Sequence, residues 1–180
     1  MKRSDALAPL SRDHHHALVL ARELSRADEK DIAPVGARFV GFLARHELAH
    51  FDLEESVLLP AVPREERGRL LARRLLDDHE FFRAAMRELR DSSDTATSGF
   101  LHELGARLRA HVQMEERELF PYLEEVLSER ELEEIGAAIK SRDATEGVGT
   151  VRGFLQAVTE RDTESLLRSR IPRSRLTTFG

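Results

Sequence analysis

No cysteine occurs among the 180 residues, which excludes disulfides, thiolate-bound zinc, iron–sulfur ligation and thiol chemistry from this chain. No apolar run approaches the roughly 20 residues that a helix needs to cross a bilayer. The start, Met1 to Pro9, lacks the apolar core of a secretory signal, so the expected location is the cytoplasm. Positive charge is not in excess: the formal net charge of −5 gives no footprint for nucleic acid. Aromatic and β-branched residues are too few and too irregularly spaced to mark strands. Neither a Ser-His-Asp constellation nor a phosphate loop is visible. What is present, 41% hydrophobic and 34% charged residues, suits amphipathic helices. The length suffices for one domain with an apolar core and an appendage.

Apolar residues recur at three- and four-residue spacing in four stretches, which predicts an all-α chain. Ser11 suits the N-cap of a first helix running to about Ala27, with Leu10, His14, Ala17, Leu18, Ala21 and Leu24 on its inner side. Turn residues Asp28 to Ala33 follow, and Pro34 suits the first position of a second helix. That helix carries Phe39, Leu43, Glu47, His50, Glu54 and Val57 along one side and closes at Pro60 and Pro63. A third helix begins near Arg64 and presents Leu71, Leu75, His79, Phe82, Met86 and Leu89. After a polar loop from Asp91, Ser98 suits the N-cap of a fourth helix whose stripe is Leu101, Leu104, Leu108, His111, Glu115 and Leu119.

The chain repeats itself. His50-x-x-x-Glu54-Glu55-x-x-Leu58-x-Pro60 and His111-x-x-x-Glu115-Glu116-x-x-Leu119-x-Pro121 share a pattern, and Phe39 and Leu43 align with Phe100 and Leu104. Upstream, Asp13-His14 matches Asp78-His79, and Arg-Glu-Leu follows each at residues 22–24 and 87–89. The unit is therefore a helix pair written twice, which predicts an up-down-up-down four-helix bundle with an internal two-fold relation over residues 7–142.

His14, His50, Glu54, His79, His111 and Glu115 all fall on stripes assigned to the core. Burying such groups unpaired costs several kcal/mol each. Metal ions remove that cost by satisfying the lone pairs and balancing the charge. Imidazole and carboxylate donors suit iron or manganese, and also zinc. Two equivalent Glu residues could each bridge a pair of ions, so two iron ions are the natural reading. Six protein ligands underfill two octahedral ions, leaving sites for water, an oxo or hydroxo bridge, or an exogenous ligand.

On these motifs the chain resembles the hemerythrin-like, or HHE cation-binding, family over about residues 7 to 140. The resemblance implies a non-haem di-iron site in the bundle core that binds dioxygen or related molecules, with His14, His50, Glu54, His79, His111 and Glu115 as ligands. Oxygen-carrying hemerythrins have a further His one turn after the third-helix ligand; here that place is Arg83. The pattern is closer to four-His, two-Glu bacterial members associated with oxygen, nitric oxide, peroxide or iron handling. The expected function is thus a di-iron protein that binds or reacts with O2, NO or H2O2, with oxidoreductase activity left open. Iron storage or delivery, or oxygen sensing without turnover, is the alternative.

His14 is favoured over His15 because Asp13 precedes it as Asp78 precedes His79; His15 is the fallback ligand, and His16 faces solvent. His46, one turn before His50, is read as a surface residue or a support behind a ligand, His102 as exposed, and Glu55 and Glu116 as pointing outward. Glu47 stands where the second copy has Leu108. It either reaches solvent or an arginine, or serves as an acid that holds a ligand His or relays protons. Ser128-x-x-Glu131 is a capping-box pattern opening a fifth helix to about Ser141. Residues 143–180 read as an appendage with a hinge at 145–150 and two short amphipathic helices. It could cover a bundle face, form a homodimer or hold a partner.

Overall fold

The computed structural model describes residues 3–91 and 96–142. The appendage expected over 143–180 lies outside them. Among the described residues every regular element is helical, and there is no strand. The helices are α1 (Ala8–Leu24), α2 (Ile32–Phe42), α3 (Leu48–Leu53), α4 (Glu66–Asp91), α5 (Ser98–Met114), α6 (Phe120–Val126) and α7, spanning 129–142. The described residues form an all-α helical bundle with four arms. The first arm is α1 and the third is α4. The second runs without a break through α2, Leu43–Glu47, α3 and Glu54–Leu58, and the fourth through α5, Glu115–Leu119 and α6.

Neighbouring arms run antiparallel. Glu23 and Asp13 of the first meet Arg38 and His50 of the second. Arg74 and Asp78 of the third meet Glu118 and Arg107 of the fourth. Two apolar clusters fill the interior. One joins Ala17, Leu24, Phe39, Phe82, Leu104 and Leu108. The other joins Leu10, Leu58, Leu75, Met114, Leu119 and Ile135. His14 lies between Leu10 and Ala17, His79 between Leu75 and Phe82, and His111 between Leu108 and Met114. The buried polar residues therefore form a layer between the two clusters.

Local chemistry shifts several expected boundaries. α1 starts at Ala8 with Pro9 in its first turn, so Ser11 is inside the helix and caps nothing. Proline is tolerated there because first-turn N–H groups have no intrahelical partner. The same reasoning covers Pro34, which is the third residue of α2 and not the first. Thr97, not Ser98, caps α5, its hydroxyl accepting the Phe100 N–H at 3.2 Å. Leu20 is buried in place of Leu18, which is 39% exposed. The capping box before α7 forms as expected: the Ser128 N–H donates to Glu131 Oε2 at 2.8 Å, and the Glu131 N–H to Ser128 Oγ at 3.4 Å.

The trailing Leu-x-Pro of each repeat has a backbone cause. Proline cannot donate to the carbonyl four residues back, and its ring clashes with it. In both copies the helix widens just before the proline: Leu59 N–H reaches the Glu54 carbonyl and Phe120 N–H the Glu115 carbonyl, each five residues back. Such π-turns rotate every later side chain about the axis, which is why Leu58 is buried and Val57 only partly so. A third wide turn, with no proline, joins Leu48 to Leu43 and ends at Glu47.

α1 and α5 approach closely at Gly105, where a Cβ would lie 2.6 Å from the Ala21 carbonyl oxygen and 2.9 Å from Leu24 Cβ. Helix propensity alone favours alanine over glycine by about 1 kcal/mol. Overpacking against unyielding backbone outweighs it, so Gly105→Ala is expected to lower stability by about 1–2 kcal/mol in urea unfolding. A variant as stable as the wild type would show that the interface can separate.

Candidate metal centre

Six side chains from all four arms converge in the polar layer. His14 comes from α1, His50 from α3, His79 from α4 and His111 from α5; Glu54 and Glu115 open the two proline-linked wide turns. Each is at most 4% exposed. His15, His16 and His46 are exposed, so the fallback at His15 does not reach the cluster. His102 is exposed too, its Nε2 paired with the Ala27 carbonyl at 2.9 Å.

The geometry is regular. Glu54 places Oε1 3.3 Å from His50 Nε2 and Oε2 3.2 Å from His79 Nε2. Glu115 places Oε2 2.9 Å from His14 Nε2 and Oε1 3.2 Å from His111 Nε2. Each carboxylate thus divides its two oxygens between two imidazole pairs. The donor atoms form two overlapping groups, one of His14, His50, Glu54 and Glu115, the other of Glu54, His79, His111 and Glu115. Within each group they lie within 4.8 Å of one another. The four Nε2 atoms and the four carboxylate oxygens are buried without a hydrogen-bond partner among the described residues. Polar atoms buried in this way are costly unless something sits between them. Nitrogen and oxygen donors of this kind suit a divalent or trivalent first-row cation.

The outward side of every imidazole meets a carboxylate. His14 Nδ1 donates to Glu116 Oε1 and His79 Nδ1 to Glu55 Oε1, both at 2.7 Å. His50 Nδ1 is 3.5 Å from Asp13 Oδ2, and His111 Nδ1 is 3.4 Å from Asp78 Oδ2. At His14 and His79 the hydrogen-bonded carboxylate fixes the proton on Nδ1 and leaves the Nε2 lone pair facing inward, the tautomer a metal requires. At His50 and His111 the carboxylate lies near Nδ1 without a hydrogen bond and favours the same tautomer by its charge. Glu55 and Glu116 therefore do not point outward as helical periodicity suggests. The wide turns that begin at Glu54 and Glu115 bring the following carboxylate onto a histidine of another arm. Arginines then hold most of the outer carboxylates. Arg83 donates to Glu55 at 2.7 Å, Arg3 to Glu116 at 2.8 Å and Arg107 to Asp78 at 2.7 Å. Arg83, which stands where oxygen carriers have a fifth histidine, thus steadies His79 through Glu55.

Residues 5–123 match the hemerythrin HHE cation binding domain. The chain belongs to that family. No similar curated protein and no similar solved structure was found. Family membership establishes cation binding as the business of this domain. The buried His/Glu cluster is where the described part of the chain has the donors for it. No described helix is long and apolar enough to cross a membrane.

Glu47 lies on the same arm-two stripe, one turn before His50, and it is buried and meets no arginine among the described residues. It is 4% exposed and forms no hydrogen bond or ion pair with a described residue. Burial raises its pKa, as do Glu54 and Glu115, while His50 and His111 act against the rise. Its neighbours are thus members of both donor groups. Without metal, protons must balance the charge. Burial opposes protonation of His14, yet the adjoining Glu115 carboxylate and the hydrogen bond to Glu116 outweigh it and raise its pKa from 6.5 to about 9. Burial opposes ionisation of Glu116, yet His14, Ser11 and Arg3 bring its pKa from 4.5 down to about 2. His50 and His111 are also raised, burial being outweighed by the carboxylates around them. A cation takes the place of these protons and competes with them.

A raised histidine stabilises the fold below its unfolded pKa, and that contribution is lost as pH rises through the folded value. A lowered carboxylate stabilises above its unfolded pKa and is lost as pH falls through the folded value. For His14 and Glu116 these windows leave the metal-free protein most stable between about pH 4.5 and 6.5, weakening towards pH 9 and towards pH 2. Thermal melts of chelator-treated protein across this range check it; a melting point that climbs from pH 6.5 to 9 would contradict the assignment.

Proposed function

We propose that the cluster holds two iron ions and that the pair binds or reacts with dioxygen, nitric oxide or peroxide. One ion would take His14, His50 and one oxygen from each of Glu54 and Glu115; the other would take His79, His111 and the remaining two oxygens. The observation that carries this reading is the division of each buried carboxylate between two imidazole pairs, with every inward donor atom lacking a partner. Manganese or zinc fits the same donors by type. Four protein donors to each ion fall short of octahedral coordination, which leaves room for a small ligand.

Bound iron would supply a Lewis-acidic, redox-active pair. The chain supplies the rest. Two apolar clusters exclude water from both sides of the layer, strengthening its electrostatics. Glu55, Glu116, Asp13 and Asp78 orient the imidazoles, and Phe51 stacks on His79 at 3.9 Å and fixes its plane. Glu47 is the carboxyl available to hold a ligand histidine or pass a proton to a bound molecule. Arg83 in place of a further histidine leaves one donor fewer than in the oxygen carriers, which favours reactivity over simple carriage. Storage or sensing without turnover is the competing reading.

Anaerobic reconstitution with ferrous iron is expected to load two equivalents, and His50→Ala or His111→Ala to lose metal. Exposure to dioxygen, peroxide and nitric oxide under an absorption spectrometer then separates the readings. A band that bleaches on degassing indicates carriage, and turnover of peroxide or nitric oxide indicates an enzyme. Failure to bind two equivalents, with full metal retained in His50→Ala, would sink the proposal. Glu47→Leu, which copies Leu108 of the second half, is expected to keep the fold and alter the spectrum or the peroxide reactivity. If metal content, spectrum and reactivity are all unchanged, the Glu47 carboxyl has no part in the chemistry.

A further inference from the structure

The two donor groups are nearly superimposable in kind, so any departure from symmetry between them is informative. Inner donors match one for one. The Glu116–His14 and Glu55–His79 contacts match as well, each at 2.7 Å, and each carboxylate is held by an arginine. The remaining pair does not match. Asp78, behind His111, is only 12% exposed, and Arg107 grips it at 2.7 Å. Arg107 is itself fixed, donating to the Asp77 carbonyl at 3.2 Å and lying 4.0 Å over the Phe81 ring. Asp13, behind His50, is 63% exposed, and its one ion pair among the described residues is with His50 itself at 3.5 Å. The repeat explains the difference: the counterpart of Arg107 is His46, which is exposed and lies against Phe42 at 5.8 Å. Glu47 acts electrostatically more on His50 than on His111, but it makes no hydrogen bond to either ring and so does not clamp Asp13 or fix the orientation of His50.

We propose that the two metal positions are unequal in retention, and that the His14–His50 position gives up its ion first. This rests on the two-metal reading above. A carboxylate behind an imidazole holds the ring in its coordinating orientation and raises its basicity, and loss of such a partner costs about 10- to 100-fold in metal affinity. Asp78 delivers that support from a clamped, nearly dry position. Asp13 must deliver it from solvent, where water and side-chain freedom compete. His46 is thus the residue that makes one half of the centre exchangeable, which is the property a metal must have to be loaded or handed on.

Competition between the full chain and a chromogenic ferrous chelator, under anaerobic conditions at fixed pH, reads the two steps directly. Two equivalents are expected to leave with affinities about ten-fold or more apart. His50→Gln should remove the weaker step and His111→Gln the tighter one. His46→Arg, which supplies the missing clamp, should narrow the gap, and Asp78→Asn should loosen the tighter step. The last two lie outside the cluster, so the comparison survives if a histidine variant fails to fold, as circular dichroism would show. Equal affinities in the wild type, or a tighter step that disappears in His50→Gln, would overturn the inequality while leaving the two-metal reading intact. Binding of no ferrous iron at all would overturn that reading itself.

Discussion

Two carboxylates buried in the middle of a helical bundle, each shared between two imidazoles, set the terms for the rest of the molecule. Glu54 and Glu115 are fully buried, and nothing apolar could offset their charge. Outward from them the charges alternate: carboxylate, imidazole, carboxylate, arginine. Glu54, His79, Glu55 and Arg83 form one such series, and Glu115, His14, Glu116 and Arg3 another. Each series ends at a partly exposed arginine, so every charge within it has an opposite neighbour on the way out. The apolar clusters above and below keep the series from being short-circuited by water.

Much of this was legible in the sequence because it depends on period and repetition. The spacing of His14, His79, His111 and Glu115 on apolar stripes placed them inside, and two copies in register tied them to a common purpose. Asp13 and Asp78 served as markers that separated His14 from His15. That they also stand behind His50 and His111 could not be read, because those contacts cross between arms and depend on how the helices pack.

Glu55 and Glu116 were misplaced for a different reason. A uniform period of 3.6 residues sends the residue after a core glutamate towards solvent. The wide turns break that period where it matters, and although Leu-x-Pro after Glu-Glu marks their place, the sequence pattern alone does not say how far the helix rewinds there. Helix starts were misread where proline occupies a first turn that hydroxyl caps would otherwise mark, as at Pro9. Glu47 could be located by its mismatch with Leu108, but its burial without a cation could not, since an exposed arginine contact was equally compatible with its position.

The halves of the chain do not each build a donor group of their own. Each donor group draws three residues from one helix pair and one from the other, and His14 and His79 are each backed by a carboxylate from the opposite pair. Reciprocal exchange of this sort is what two identical hairpins related by a dyad produce when they associate. A true homodimer would be bound to keep both halves alike, residue for residue. Joined in one chain, paired positions are free to diverge, as His46 and Glu47 have from Arg107 and Leu108. Duplication thereby turns a symmetric scaffold into one whose two sides can be tuned separately.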